Sequence, residues 1–151
     1  MNRPPEKFTI IKERDLLIFA ADCLKASDMP DDHAALLARC LVNSDLRGVR
    51  SHGTRSLGGY CRVLREGKAN ATPEIRVLKE TDTVIHIDGD GSLGYTPMMM
   101  ATEAAIKKAK IKGIALGGAC NIGHYGSAGH YVRRAMEEGF TAFSVQGSYP
   151  Q

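Results

Sequence analysis

No apolar stretch in the sequence approaches the roughly 20 residues that a membrane-crossing helix needs. The leading residues, Met1 to Lys7, are polar and contain Pro4 and Pro5 where a secretory signal would be hydrophobic. The sequence therefore predicts no membrane segment and a cytoplasmic location. Paired cysteines are missing too. Cys23, Cys40, Cys61 and Cys120 are scattered without a C-x-x-C spacing, which signals neither a zinc site nor a disulfide framework and predicts buried free thiols. Nor is there a surplus of one charge: the formal net charge is +3, and lysines and arginines alternate with Asp and Glu along helical patterns. A basic stripe of the kind that binds nucleic acid is not present.

What remains is an ordinary globular composition, 151 residues with 43% hydrophobic and 25% charged, enough for one domain with a core. Apolar residues at helical spacing predict helices over Lys12 to Ala26, with Ser27-Asp28-Met29-Pro30 as its stop, and from Asp31, as a cap, to about Leu46. A break at Arg47-Gly48 leads to a third helical pattern from Gly53 or Thr54 through Leu64, with Gly67 as its stop. After Thr72-Pro73 the period changes. Ile75 to Leu78 and Val84 to Ile87 read as two short strands around a Glu80-Thr81-Asp82 turn, and Gly89 to Gly94 as a loop. A helix carrying Met98 to Ala109 follows, with Pro97 in its first turn and Gly113 as its stop. Ile114 to Gly118 reads as a buried strand, Ser127 to Glu138 as a helix stopped by Gly139, and Phe140 to Val145 as a last strand. The layout is α/β.

Three stretches carry candidate chemistry. Asp45 to Tyr60 gathers Arg47, Arg50 and Arg55 around Ser51-His52, with glycines that let the backbone turn sharply. A histidine beside guanidinium groups suits a proton carrier next to a carboxylate clamp, so a small anionic substrate is implied. A serine hydrolase is a weaker reading. Adjacent residues rarely place a hydroxyl on their neighbour's imidazole, and no G-x-S-x-G elbow is present. Gly89-Asp90-Gly91-Ser92-Leu93-Gly94 matches the dinucleotide fingerprint G-x-G-x-x-G. However, the next strand ends at Cys120 and Asn121 without the ribose-binding acid, and Asp88 and Asp90 put negative charge where a pyrophosphate would sit. A tight glycine-shaped loop is preferred. Asn121 to Gly129 joins a strand to a helix whose first-turn N–H groups suit an anion. This stretch reads either as the lip of a binding site bearing His124 or as a capped helix start with a surface histidine. His130 lies six positions from His124 and shares no helical face with it, and no H-E-x-x-H occurs, so no metal is expected.

Asp45-Leu46-Arg47-Gly48-Val49-Arg50-Ser51-His52-Gly53, Tyr60, Gly67, Ile87-Asp88-Gly89 with Leu93-Gly94, and Gly123-His124-Tyr125-Gly126 with Ala128-Gly129 together resemble the malate/L-lactate dehydrogenase family. This is a group of NAD(P)-dependent oxidoreductases that also includes ureidoglycolate, sulfolactate and diketogulonate enzymes. The resemblance implies a helical unit over 1–72 followed, over 73–151, by part of a mixed-sheet, sulfolactate-dehydrogenase-like nucleotide-binding domain that is not Rossmann. It implies interconversion of a 2-hydroxy acid and a 2-keto acid with NAD or NADP, in a homodimer, and a cleft with the two histidine segments as its walls. By resemblance His52, His124 and Ser51 are catalytic candidates, and Arg47, Arg50, Arg55 and Tyr60 are substrate-binding ones. His124, Gly126, Ser127 and Ser148 face the cofactor. His52 is read as the proton carrier and His124 as facing cofactor or substrate, the two roles being exchangeable. Family members carry an arginine one residue after Arg55, where this chain has Ser56, so Arg55 stands one residue from the family's carboxylate-binding position. Family chains also run well beyond this length. The rival expectation is a product without catalysis, acting as a binding or dimerising module through an unprotected edge of the Phe140 to Val145 strand.

Overall fold

Ala34, Leu37, Ala38 and Leu41 recur at intervals of three and four, and all of them are buried on one face of helix α2, Asp31–Leu46. In the computed structural model, which describes residues 6–147, that helix is the centre of the larger of two cores. Helix α1, Glu13–Lys25, contributes Ala20 and Leu24 to its core, and α3, Leu57–Arg65, contributes Leu57, Tyr60 and Leu64. Leu93 and Tyr95 enter the same cluster from beyond the helical region. Each fully buried leucine here is worth roughly 1.5–3 kcal/mol relative to exposure. Asp31 is not the cap of α2 but its first residue: Pro30 occupies the cap and no side chain bonds there. Asp31 and Asp32 then act through charge on the positive end of the helix dipole.

The sheet has three strands in the order β1-β2-β3: β1 is Arg76–Glu80, β2 Val84–Ser92 and β3 Leu116–Ile122. β1 and β2 are antiparallel around Thr81, whose N–H donates to the Val84 carbonyl and whose Oγ1 accepts from the Val84 N–H. β2 and β3 are parallel, joined by helix α4, Tyr95–Lys112. A smaller core of Ile85, Ile87 and Ala101 lies between α4 and the sheet.

Three expectations change. The glycine loop expected at Gly89 to Gly94 is largely strand, because β2 runs on to Ser92 through an irregularity in which Asp90 and Gly91 take φ of +53° and +72°. Asn70 holds this bend by donating Nδ2–H to the Asp90 carboxylate at 2.9 Å. The strand expected as buried at Ile114 to Gly118 begins two residues later and is an edge strand among the described residues. Ile114 and Leu116 are accordingly 74% and 66% exposed. Phe140 to Val145 forms no strand. It pairs with no neighbour among the described residues and instead lines a groove of about 420 Å³ with α4 and helix α5, Gly129–Glu137. Of the four free cysteines, Cys40 and Cys61 are buried, whereas Cys23 and Cys120 are only half-buried. Among the described residues no helix is long and apolar enough to cross a membrane.

Two polar contacts fix the helical unit around α2. At its C-terminal end the Asp45 carboxylate accepts the Thr54 N–H at 2.9 Å and the Thr54 hydroxyl at 2.5 Å. A side chain on the intervening Gly53 would place its Cβ 1.8 Å from Asp45 Oδ1, so glycine is obligatory there for space. One residue earlier, Ser44 Oγ meets His130 Nε2 of α5 at 3.2 Å, both groups buried. Burial first, then Arg133, His52 and Arg47, push the His130 pKa down to about 4.

Gly53→Ala is expected to destabilise the chain by about 2 kcal/mol through overpacking, and Asp45→Ala by a similar ~2 kcal/mol through loss of a charged acceptor. Because removing the carboxylate also removes the collision, the double variant should lose clearly less than the sum in urea unfolding followed by circular dichroism. His130 gives a pH signature. Below its ordinary pKa of 6.5 the unfolded chain binds a proton that the folded ring refuses until about 4. Stability should therefore fall between those values, on the order of 2–3 kcal/mol, and by less in His130→Gln.

Candidate active site

The site begins at the turn clasped by Asp45. The 3-10 turn Arg50–His52 and a second, Thr54–Ser56, carry the chain from α2 to α3 and leave His52 half-buried. Ser51 Oγ lies 2.9 Å from His52 Nδ1. The tight turn thus does what was not expected of adjacent residues, bringing a hydroxyl onto its neighbour's ring.

His124 arrives from the other side, on the turn between β3 and α5. Its ring stacks on that of His52 with centroids 5.6 Å apart and planes 23° apart, and on Tyr60 at 6.0 Å. Tyr60 Oη is 2.7 Å from His124 Nδ1, and the Gly126 N–H donates to the same nitrogen at 3.3 Å. With Nδ1 taken by these neighbours, Nε2 is the nitrogen left for a substrate. Behind Tyr60 stands Tyr95, 2% exposed, with the two hydroxyls 3.0 Å apart and the rings edge to face. Gly126 has φ +80°, and a Cβ there would lie 2.5 Å from the Tyr95 ring, so its lack of a side chain makes room for tyrosine. Burial, then the neighbouring His52, lower the His124 pKa; burial raises that of Tyr60 against the hydrogen bonds of Tyr95 and Ser56.

The structure brings His52, His124, Ser51 and Tyr60 together as the sequence suggested, but not all the arginines. Arg47 is exposed at the end of α2 and donates Nε–H to Asn43 Oδ1 at 3.0 Å. It lines a pocket of about 240 Å³ with Arg39, His130 and Arg133. Arg50 and Arg55 sit in the two turns, half-buried and exposed, with no ion pair to a carboxylate among the described residues. Ser127 accepts the Gly129 N–H on its Oγ at 3.3 Å, and its carbonyl accepts the His130 N–H. The Gly129 and His130 amides at the start of α5 are therefore engaged within the chain. Ser148 lies outside the described residues. Among these, no group of three or more His, Cys, Asp or Glu side chains is placed to hold a metal ion.

Two of the three fingerprint glycines, Gly89 and Gly94, serve packing, and Gly91 serves the bend with its φ of +72°. A Cβ on Gly89 would lie 2.2 Å from Ile122 and one on Gly94 2.7 Å from Tyr125, so neither leaves space for a pyrophosphate. Sequence reasoning did not single out Asp45, Tyr95 or His130. Asp45 had a signal: an acid in the last turn of a helix opposes the dipole and needs a donor elsewhere. Tyr95 had none, because its role depends on a contact with a residue 35 positions away.

Known proteins show the same arrangement of chain. A profile of the malate/L-lactate dehydrogenase family matches residues 11–151. Malate dehydrogenase of Pyrococcus horikoshii is 38% identical over 145 residues, 96% of this chain and 40% of that protein. Its solved structure superposes with a TM-score of 0.84 over 89% of this chain and 39% of the other. L-sulfolactate dehydrogenase of Methanocaldococcus jannaschii is 35% identical over 91% of this chain and 39% of its own length. An Escherichia coli protein named ureidoglycolate dehydrogenase (NAD(+)) is 35% identical over 79% of this chain and 34% of its own. The chain spans 34–40% of the length of these relatives. With profile, sequence and fold in agreement over nearly its whole length, this chain belongs to the malate/L-lactate dehydrogenase family.

Proposed function

We propose that this chain carries the proton-transfer wall of an NAD(P)-dependent dehydrogenase that interconverts a small 2-hydroxy acid, such as malate or lactate, and its 2-keto acid. The observation that carries the reading is the fixing of His124 by Tyr60 Oη at 2.7 Å and by the Gly126 N–H, with His52 stacked on its face. A histidine held by its Nδ1 presents Nε2 in one direction, which is what a proton donor to a substrate oxygen requires. The nicotinamide supplies the hydride, delivered to C2 of the keto acid. In that direction the Nε2–H of protonated His124 goes to the carbonyl oxygen, while Arg50 and Arg55, in the two turns beside His52, hold the substrate carboxylate. In reverse, His124 takes the hydroxyl proton on Nε2, in the neutral tautomer whose hydrogen sits on Nδ1.

This exchanges the two histidine roles expected from the sequence. His124 is the more constrained ring, and His52, beside Ser51 Oγ, lies where it can orient the substrate oxygen. Ser127 and the backbone around Gly126 border the nicotinamide on the same reading, and NAD or NADP both satisfy it. It also includes a division into units 1–72 and 73–151, a cytoplasmic location and a homodimer.

The test is oxidation of NADH and NADPH with a panel of 2-keto acids, using the longest polypeptide that the gene encodes. His124→Ala should lower kcat by about 10²–10⁴, with a smaller loss for His52→Ala, and Arg55→Ala should act mainly on KM. Undiminished turnover in His124→Ala would sink the assignment. Since the reductive direction needs protonated His124, whose pKa burial holds below the ordinary 6.5, the rate of reduction should drop as pH rises through a midpoint under that value.

A further inference from the structure

Arg39, Asn43 and Arg47 recur every four residues along α2 and its C-terminal cap, and His130, Arg133 and Glu137 recur at three and four along α5, so each set shares a helical face. The two faces line the pocket of about 240 Å³. Two guanidinium groups meet there on one neutral atom: Asn43 Oδ1 accepts from Arg47 Nε at 3.0 Å and from Arg133 Nη2 at 3.4 Å. Arg133 Nη2 also lies 3.4 Å from His130 Nδ1, which must accept because a guanidinium only donates. A Cβ on Gly129 would lie 2.7 Å from Arg133 Nη1, so the first residue of α5 leaves the guanidinium its space.

An amide oxygen aims two cations without cancelling either charge. The nearby carboxylates do not cancel them. Glu103 and Glu138 hold Arg134. Glu137, the carboxylate that lines the pocket, has its side chain 67% exposed and lies 3.8 Å from Arg134. Among the described residues neither it nor any other acid forms an ion pair with Arg39, Arg47 or Arg133. Burial, then Arg47, lower the Arg133 pKa against Cys40 and Glu137, as befits a cation set beside a second one without an anion between them.

We infer that this pocket is an oxyanion site that takes a phosphate group, held between the guanidinium groups of Arg47 and Arg133 and so joining α2 to α5. Guanidinium forks match the oxygens of a tetrahedral anion, and two unopposed positive charges call for a dianion, whereas a single carboxylate would leave one of them unpaired. Arg39, exposed at the rim, adds to the attraction. Arg47, expected from the sequence at the substrate carboxylate, thus serves a different anion. The site contains neither His52 nor His124 and does not rest on the chemistry proposed for them. It does bear on their approach, because α2 leads into the turn of His52 and α5 follows the turn of His124.

The test is a titration of the 151-residue chain with inorganic phosphate, at ionic strength held constant with chloride, followed by NMR of backbone amides and arginine side chains. Saturable shifts confined to the facing parts of α2 and α5 are expected, with a dissociation constant of about 1 mM and a rise in Tm that follows the same constant. Arg47→Gln, which changes an exposed side chain, should weaken binding by roughly tenfold or more, as should Arg133→Gln. Arg62→Gln on the exposed face of α3 should leave it unchanged. Acetate should bind roughly tenfold more weakly than phosphate. Methyl phosphate separates the two sources of the group: binding as tight as phosphate or tighter assigns the site to an esterified phosphate, weaker binding to the free ion. Shifts that do not saturate, shifts spread over the basic surface, equal affinity for acetate, or undiminished binding in Arg47→Gln each overturn the inference. Should Arg133→Gln not fold, Arg47→Gln decides alone.

Discussion

The Asp45 carboxylate, reaching from the last turn of α2 to Thr54, is the contact on which the site depends. Two donors of one residue converge on one oxygen, Oδ2, and the residue between them, Gly53, must lack a side chain for the carboxylate to pass. A carboxylate at a helix C-terminus faces the negative end of the dipole, so on local grounds alone it is misplaced. What offsets this is the long return: α2 ends, the chain curls through two 3-10 turns, and the clasp sets Ser51 and His52 in position before α3 begins. Without it, His52 would ride on a loop joining two helices and the stacking with His124 would have no fixed partner.

The other wall is positioned by volume more than by charge. His124 owes its orientation to Tyr60, which owes its own to the core of the helical unit, and Tyr95 is admitted to that core because Gly126 yields its space. Gly126 thus has two functions at once, an N–H on the histidine and a vacancy for the tyrosine ring. Both come from a backbone at φ +80°, which only glycine adopts at little cost. The same logic explains the fingerprint glycines Gly89 and Gly94, whose small size is consumed by Ile122 and Tyr125.

Periodicity made most of the helices legible. Residues 34, 37, 38 and 41 announced α2 to within one position at its start, and α1, α4 and α5 fell within a few positions of where the pattern put them. The sheet was less legible because its strands are short and half-exposed, so burial could not be read from alternation: β1 is exposed throughout, and Ile114 and Phe140 to Val145 look apolar enough for buried strands but lie at or beyond the open edge. At the site, His52, His124 and Tyr60 were legible as residue types in glycine-rich turns. The stacking was not, since it joins turns 72 positions apart, nor was Tyr95, whose meaning lies in one oxygen against another. The arginines misled in part, because a guanidinium near a histidine in sequence is free to turn to its own helix, as Arg47 does to Asn43.

Stacking two histidines has an electrostatic consequence of its own. At a centroid separation of 5.6 Å, two imidazolium charges repel by roughly 3 kcal/mol at an effective dielectric of about 20, so the pair resists holding two protons at once. Burial already disfavours charge on His124, and a charge on His52 disfavours it further. Tyr60 and Tyr95 complete the arrangement from behind. Their hydroxyls, 3.0 Å apart, hold the His124 ring against His52, so the repulsion between the two rings is set by the fold.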